Sequence, residues 1–266
     1  RTWNAKVYNY NSERGIPGAI VNNVWRRGER VWDTNSFFQG SFVKEVNDQF
    51  KTQVNAKYAF YRTHYVNNDD KLIEVDNLYK QREVYVSTAN MYTIFPFWDV
   101  SMSYDFQWNE MKADMYGFVF PTRFTNLLSI ATALRLGKVK LQGSGLATFV
   151  NDRVKEGPAP KARQILTPAV FLSYKPFDKH DFSLRAFYKK TFRMPTFNDL
   201  YYADMGNSKL DPEYVTQYNL GTVYQKQWGN KLFRHFKIQA DGYYNYVKDK
   251  IIAYPKGQQF RWTMLN

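Results

Sequence analysis

The sequence predicts an all-β protein, an antiparallel β-barrel that crosses a membrane with its strands. Three observations carry this expectation. Many segments alternate apolar and polar side chains, the connections between them alternate short and long, and aromatic residues make up 18% of the chain, with 21 Tyr, 21 Phe and 7 Trp. Period-two alternation places one class of side chain on each face of a strand. A soluble sandwich turns the apolar face to a core and the polar face to water. A membrane barrel turns the apolar face to lipid and the polar face to a wet or plugged lumen. A single strand fits either inversion. The segregation of long loops to one rim favours the barrel, because sandwiches and propellers have no reason to keep it. In hydrocarbon every backbone polar group must be paired, so a sheet that crosses must close.

The elements follow in order. Arg1–Tyr10 fits a strand, and Asn11–Arg30 a loop with turn chemistry at Arg14–Gly18 and a basic pair, Arg26 and Arg27. Strands are expected at Val31–Val46 and Phe50–Thr63, the latter with Val54, Ala56, Tyr58 and Phe60 on one face. His64–Lys80 is polar and is expected as a longer loop, followed by a strand at Arg82–Thr93. The clearest strand comes next. Val100, Met102, Tyr104, Phe106 and Trp108 share one face, while Asp99, Ser101, Ser103, Asp105 and Gln107 share the other. Asn109–Pro121 is a loop, and Phe124–Leu136 and Val139–Val150 are strands joined by a tight turn at Gly137–Lys138. Gly143 and Gly145 fall on the apolar face of the second, which implies curvature or close approach there. Strands at Arg163–Tyr174, Asp181–Lys190, Tyr214–Lys226 and Phe233–Val247 complete the pattern, with a further strand start at Phe260. The total is about twelve strands with no helix of convincing period.

Composition excludes several functions. Cysteine is absent, so disulfides, thiolate metal sites and a Cys nucleophile are excluded. His64, His180 and His235 are the only histidines, and they lack metal-ligand spacing. No apolar run approaches the ~20 residues of a membrane helix. The formal charge of +13 allows an anionic partner, yet no basic helix, zinc finger or RNA-binding aromatic motif is present, so nucleic acid is not an expected partner. Asp99 and Asp105 share a face but lie six residues apart, about 20 Å along a strand, too far for paired-carboxylate hydrolysis. No catalytic residue, metal or cofactor is expected. The opening residues do not look like a translation start, and the chain is expected to be a mature or internal piece.

The stretch Phe192–Leu220 is the longest excursion between two strands. It contains Arg193, Pro195, Thr196, Phe197, Asp199, Leu200, Tyr201 and Tyr202, then Gly206, Asn207, Leu210, Pro212 and Glu213, and leads into a strand with Tyr218, Leu220 and Gly221. In this order the residues resemble a signature of the TonB-dependent outer-membrane transporters. Tyr243-Tyr244-Asn245-Tyr246 followed by Asp249, Lys250 and Ile251 is also similar to the family. The resemblance implies a 22-stranded barrel with an amino-terminal plug. It implies energised uptake of a scarce ligand, driven by an inner-membrane complex that pulls on a short amino-terminal box. Residues 1–266 then correspond to a central-to-late portion of the barrel, with no second domain and with the plug and coupling box elsewhere.

The style of the Arg14–Gly18 loop is similar to the corrinoid receptors of gut Bacteroidetes, which makes cobalamin the first expected ligand. Haem, a ferric siderophore or a glycan are alternatives, as are a passive pore, a barrel docking a surface lipoprotein, and a soluble carbohydrate-binding β protein. Implied partners are outer-membrane lipid and lipopolysaccharide of a Gram-negative bacterium, the plug, the TonB complex and a surface lipoprotein. Candidate ligand contacts on the long-loop rim are Arg26, Arg27, Tyr79, Tyr116, Tyr201 and Tyr202. Arg193 and Glu213 flank the signature loop and are expected to pair or to hold it against the plug.

Overall fold

The structure is a computed structural model, and it describes residues 1–16, 20–21, 24–25, 29–67, 74–157, 159–201, 206–227, 234–256 and 261–266. Its body is an eleven-stranded antiparallel sheet. In chain order the strands of this sheet are β1 (Thr2–Ile16), β4 (Glu29–Glu45), β5 (Phe50–Asn67), β6 (Val75–Phe95), β7 (Trp98–Ala113), β8 (Thr122–Leu136), β9 (Val139–Arg153), β10 (Arg163–Tyr174), β11 (Asp181–Arg193), β12 (Glu213–Gln227) and β13 (His235–Lys248). Each pairs with the next in sequence, an up-and-down meander without crossovers. Two ribbons stand apart from it: β2 (Ile20–Val21) with β3 (Val24–Trp25), and β14 (Ile252–Lys256) with β15 (Arg261–Leu265). One short helix, α1 (Phe197–Tyr201), lies between β11 and β12.

The two faces are the ones the alternation predicts. Ladder partners on the apolar face run Tyr58–Val84–Trp108–Phe124, and further along Leu172–Ala186–Leu220–Gly242. These side chains are not covered: Met102 is 51% exposed, Ile130 57%, Leu166 68% and Leu220 66%. A second layer packed on that face would bury them, so among the described residues the sandwich alternative has no support. The opposite face is polar and cross-linked between strands. Lys57 Nζ lies 2.9 Å from Glu83 Oε1, Tyr85 Oη donates to Asp105 at 3.0 Å, and Asn55 Nδ2 donates to Ser87 Oγ at 3.0 Å.

Connections alternate as the sequence implies. Among the described residues, the short connections at 46–49, 96–97, 137–138 and 175–180 lie at one rim, and the longer connection at 114–121 lies at the other. Gly137 takes φ +55° in the tight β8–β9 turn, which its missing Cβ permits.

Three expectations change. β1 continues to Ile16 and β4 starts at Glu29, so the first loop is shorter than Asn11–Arg30. The expected loop His64–Lys80 shrinks likewise, because β5 runs to Asn67 and β6 resumes at Val75. Near a rim both faces are wet, so a strand loses its apolar alternation there while keeping its ladder. Finally, a Cβ on Gly145 would meet nothing within 4 Å, so no close approach explains that glycine.

Candidate functional site

Signature residues fold residues 194–201 and 206–212 inward, over the polar face. The entry and exit are fixed by register: Arg193 of β11 and Glu213 of β12 are direct ladder partners. Their side chains approach to 3.9 Å, while Arg193 Nη1 makes the closer bond, 3.1 Å, to Asp199 Oδ2. Glu213 meanwhile accepts the Ile251 N–H at 3.0 Å. The expected Arg193–Glu213 pair is therefore the weaker half of a shared arrangement.

Thr196 caps α1. The Asp199 N–H donates to Thr196 Oγ1 at 3.1 Å, and the Thr196 N–H donates to Asp199 Oδ2 at 2.9 Å. This is a reciprocal capping box with Asp at its third position. A helix of one turn is marginal alone. What holds it is burial of Phe197 and Leu200, three residues apart on one face. Phe197 packs with Tyr79, Met111, Ala113 and Phe118, and Leu200 with Leu210 and Ile251; the Tyr201 ring contacts both groups. Pro195 and Pro212 are fully buried at the two ends.

The remaining motif residues have equally local reasons. A Cβ on Gly206 would lie 2.6 Å from the Leu200 carbonyl oxygen, so only glycine allows the chain to pass. Asn207 donates its N–H to the Asp199 carbonyl at 2.9 Å and its side-chain amide to the Met264 carbonyl at 2.9 Å. Asn266 receives the Asp211 N–H at 2.7 Å and donates to the carbonyls of Asp211 and Asp249. Arg163 pairs with Asp211.

Beneath the loop sits a buried ion pair that the sequence does not reveal. Arg123 of β8 and Asp152 of β9 are ladder partners. Arg123 Nε donates to Oδ1 at 2.7 Å and Nη2 to Oδ2 at 2.6 Å, a bidentate fork with side chains 10% and 3% exposed. Its third nitrogen, Nη1, donates to the Pro195 carbonyl at 2.6 Å, and the guanidinium lies 5.2 Å from the Phe197 ring centre. One arginine thus ties the sheet to the loop through charge, hydrogen bond and ring contact. Among the described residues the Tyr201 hydroxyl, buried nearby, has no hydrogen-bond partner. Burial first, and then the Asp152 charge, push this phenol up to about 12, while Arg123 pulls the other way.

The sequence candidates separate accordingly. Arg193, Pro195, Phe197, Leu200, Leu210, Pro212 and Glu213 come together as the loop's framework, and Tyr201 joins its packing. Tyr79 is a correction: it lies in strand β6 rather than in a loop, 2% exposed and packed against Phe197 and Met111. Tyr116 is fully exposed in the β7–β8 connection, apart from the loop core. Arg26, Arg27 and Tyr202 lie outside the described residues. Beside α1, a groove of about 220 Å³ is lined by Asn35, Tyr61, Thr63, Tyr79, Gln81 and Asn198, where Gln81 donates to Asn198 at 3.3 Å. The polar face also carries a wider groove of about 410 Å³ towards the short-turn rim, bordered by Lys140, Arg185 and Asp241. Among the described residues no cluster of His, Asp or Glu could hold a metal ion.

Comparison with known proteins places this architecture. No protein of curated function matches the chain at the sequence level. Among solved structures, the FrpB iron transporter of Neisseria meningitidis (F3-3 variant) is similar over 99% of this chain and 44% of its own, with 12% identity and a TM-score of 0.68. The copper transporter OprC is similar over 98% and 48%, with 14% identity and a TM-score of 0.67. The hemophore receptor HasR of Serratia marcescens, solved as a double mutant with its hemophore and heme, is similar over 98% and 54%, with 13% identity and a TM-score of 0.52. The chain spans about half the length of these proteins, and identities this low speak to the fold. The family model described as TonB dependent receptor-like, beta-barrel matches residues 2–266, and the open meander with its uncovered apolar face and inward loop is the structure of that match: the chain belongs to the TonB-dependent receptor β-barrel family, a family of outer-membrane proteins.

Proposed function

We propose that residues 1–266 form a central-to-late portion of an outer-membrane barrel that takes up a scarce, bulky ligand by energised transport. The apolar face meets lipid, the polar face lines the lumen, and the long-loop rim faces outward. The observation that carries this reading is the inward loop, tied to the barrel wall by Arg123 and Asp152. A loop fixed across the polar face narrows the passage, which suits gated uptake of a bound ligand better than an open pore. The plug and the coupling box belong to the rest of the protein, and the TonB complex would supply the energy. A surface lipoprotein remains a further proposed partner at the outward rim.

Cobalamin is the first ligand to test, on the resemblance of the Arg14–Gly18 loop. Haem or a ferric siderophore is the second reading, and similar structures favour it: an iron transporter, a hemophore receptor with heme and a ferric-catecholate import receptor. The test uses the full-length protein in a Gram-negative host that lacks its own receptors. Uptake of labelled cobalamin, haem and ferric siderophores is measured with the coupling complex intact and disabled. Saturable uptake of one ligand that needs coupling is expected. Uptake of unrelated small solutes that ignores coupling would instead make the protein a passive pore.

A further inference from the structure

We infer that the groove beside α1 binds an uncharged carboxamide arm of the transported ligand, and so selects amide-bearing ligands over carboxylates and catecholates. This rests on the uptake reading above. The groove lies on the polar face, just inside the long-loop rim. Asn35 of β4 and Gln81 of β6 are both ladder partners of Tyr61 on β5. They therefore stand on either side of it, about 10 Å apart at the ~4.8 Å strand spacing. Thr63 and Tyr79 are partners one row nearer the rim, and Asn198 of α1 closes the side. The volume, about 220 Å³, is below the roughly 300–1,000 Å³ of a pocket for a drug-sized molecule. The groove therefore takes one arm of a bulky ligand rather than its body.

Asn35, Gln81 and Asn198 are carboxamides, and their bonding leaves a defined remainder. Gln81 Nε2 donates to Asn198 Oδ1 at 3.3 Å and reaches Met111 Sδ at 3.7 Å. The Gln81–Asn198 bond uses one amide nitrogen and one carbonyl. Whichever way the two amides turn, the pair keeps a carbonyl on one residue and an NH2 group on the other for a guest. Among the described residues the Asn35 amide has no partner, so it offers a further donor and acceptor. A guest carboxamide answers this remainder, giving its own NH2 group to the carbonyl and its carbonyl to the NH2 group. A carboxylate or catecholate oxygen only accepts and would face a carbonyl, and an ammonium only donates.

The charges bordering the groove are matched within the protein. Asp33 pairs with Arg14 and accepts from the Thr63 hydroxyl at 2.8 Å. Lys57 Nζ lies 2.9 Å from Glu83 and donates to the Tyr61 hydroxyl at 3.2 Å. Asp199, next to Asn198, is taken by Arg193 and the Thr196 N–H, and Arg123 beneath the loop by Asp152. Lys6, two rows from Asn35 towards the short-turn rim, lies over the Tyr8 and Phe37 rings. An ionic arm entering the groove would lose water without gaining a counter-ion, whereas a carboxamide exchanges bonds to water for bonds to protein. Sites built to hydrogen-bond a polar group reject analogues that leave their own groups unpaired.

The test uses the full-length protein, purified, with its folding checked by heat-modifiable migration. Binding of four probes is measured. Cobalamin and a neutral ferric hydroxamate built on a cyclic peptide carry carboxamides; haem and a ferric catecholate present carboxylates or catecholates. An amide-bearing probe should bind tightest, and which of the two does so tells a corrin arm from a peptide amide. Gln81→Glu should weaken that probe roughly tenfold or more at about pH 7. At about pH 4 the new carboxyl is protonated, donates and accepts again, and the loss should shrink. The wild type at each pH is the reference, since Asp33, Glu83 and Asp199 border the groove. Asn35→Asp should act in the same direction, and carries the comparison if Gln81→Glu does not fold. Gln142→Glu, further from the rim on the same face, should change nothing. Haem or the ferric catecholate as the tightest probe, or unchanged affinity in the Gln81 and Asn35 variants, overturns the inference and leaves the uptake reading standing. A loss of equal size at both pH values also overturns it, since the side chains would then act through packing alone. Binding of none of the four overturns it as well. Passage of unrelated solutes that ignores coupling defeats the uptake reading beneath it.

Discussion

Arg123 and Asp152 face each other across β8 and β9 in a bidentate ion pair, and the arginine's remaining nitrogen holds the Pro195 carbonyl, 72 positions away in the chain. That contact converts a local feature of two strands into the anchor of the signature loop. Removing one partner of such a buried pair leaves the other charge uncompensated, a cost of about 3–5 kcal/mol. Arg123→Ala should therefore release the loop, seen as faster limited proteolysis within residues 194–212. Arg123→Lys should not restore it, because an ammonium cannot serve the carboxylate fork and the carbonyl together. Wild-type cleavage rates in either variant would contradict the anchoring role.

Arg193→Ala should have a milder effect at the same loop. It removes a bond to Asp199, a residue that also closes the capping box of α1. Exposed ion pairs are worth about 0–1 kcal/mol, so the expected loosening is small beside that of Arg123→Ala. Thr196→Ala removes the cap itself and should cost about 1 kcal/mol. Hydrogen exchange of the Asp199 and Leu200 amides orders the three variants; an Arg193 effect as large as that of Arg123 would require a different anchor.

Two glycines should respond in opposite ways to alanine. At Gly206 the new methyl would press on the Leu200 backbone at 2.6 Å, so Gly206→Ala must displace the loop. At Gly145 the methyl enters open space on a strand, where alanine loses less conformational entropy than glycine. Gly145→Ala should be neutral or stabilising by up to about 1 kcal/mol. Thermal unfolding and proteolysis of both variants compare them directly.

The Tyr201 phenol gives the loop a pH dependence. Its folded value, about 12, lies above the ordinary 10.0. A raised value favours the protonated form in the folded loop, so this stabilisation is complete below pH 10. It falls as pH rises from 10 to about 12. Protease susceptibility of the loop should rise across that window, together with phenolate absorbance, and Tyr201→Phe should abolish that part of the change. The same variant deletes a buried hydroxyl that has no partner among the described residues, and it should not destabilise the loop at neutral pH. Marked loosening of Tyr201→Phe at neutral pH would mean that the hydroxyl is paired after all.

Much of this architecture is legible in the sequence because two physical rules leave direct traces. The pleat forces period two, so Val100 through Trp108 declare their face without any partner in view. A sheet with one rim of turns spaces its connections, so Gly137–Lys138 and the stretch after Lys190 differ visibly in length. The anchor leaves no such trace. Arg123 looks like any polar-face residue until register sets it beside Asp152, and register between strands is not a local property. α1 is too short for a helical period, and only its capping box, Thr196 with Asp199, marks it. Tyr79 looks like a loop residue because the rim end of β6 is polar on both faces, yet its ring completes the packing around Phe197.

The most direct measurement is the accessibility of single cysteines, placed in this cysteine-free segment of a full-length protein in which every other cysteine has been replaced by serine. Tyr116→Cys lies on the long-loop rim, Phe177→Cys in the β10–β11 turn at the opposite rim, and Ile130→Cys on the apolar face. In intact cells producing the full-length protein, a membrane-impermeant maleimide should label only Tyr116→Cys. Phe177→Cys should label after the outer membrane is opened, and Ile130→Cys should resist until the protein is denatured. Ready labelling of Ile130→Cys in intact cells, or labelling of both rims from the same side, would contradict a barrel that crosses the outer membrane with its long loops outward.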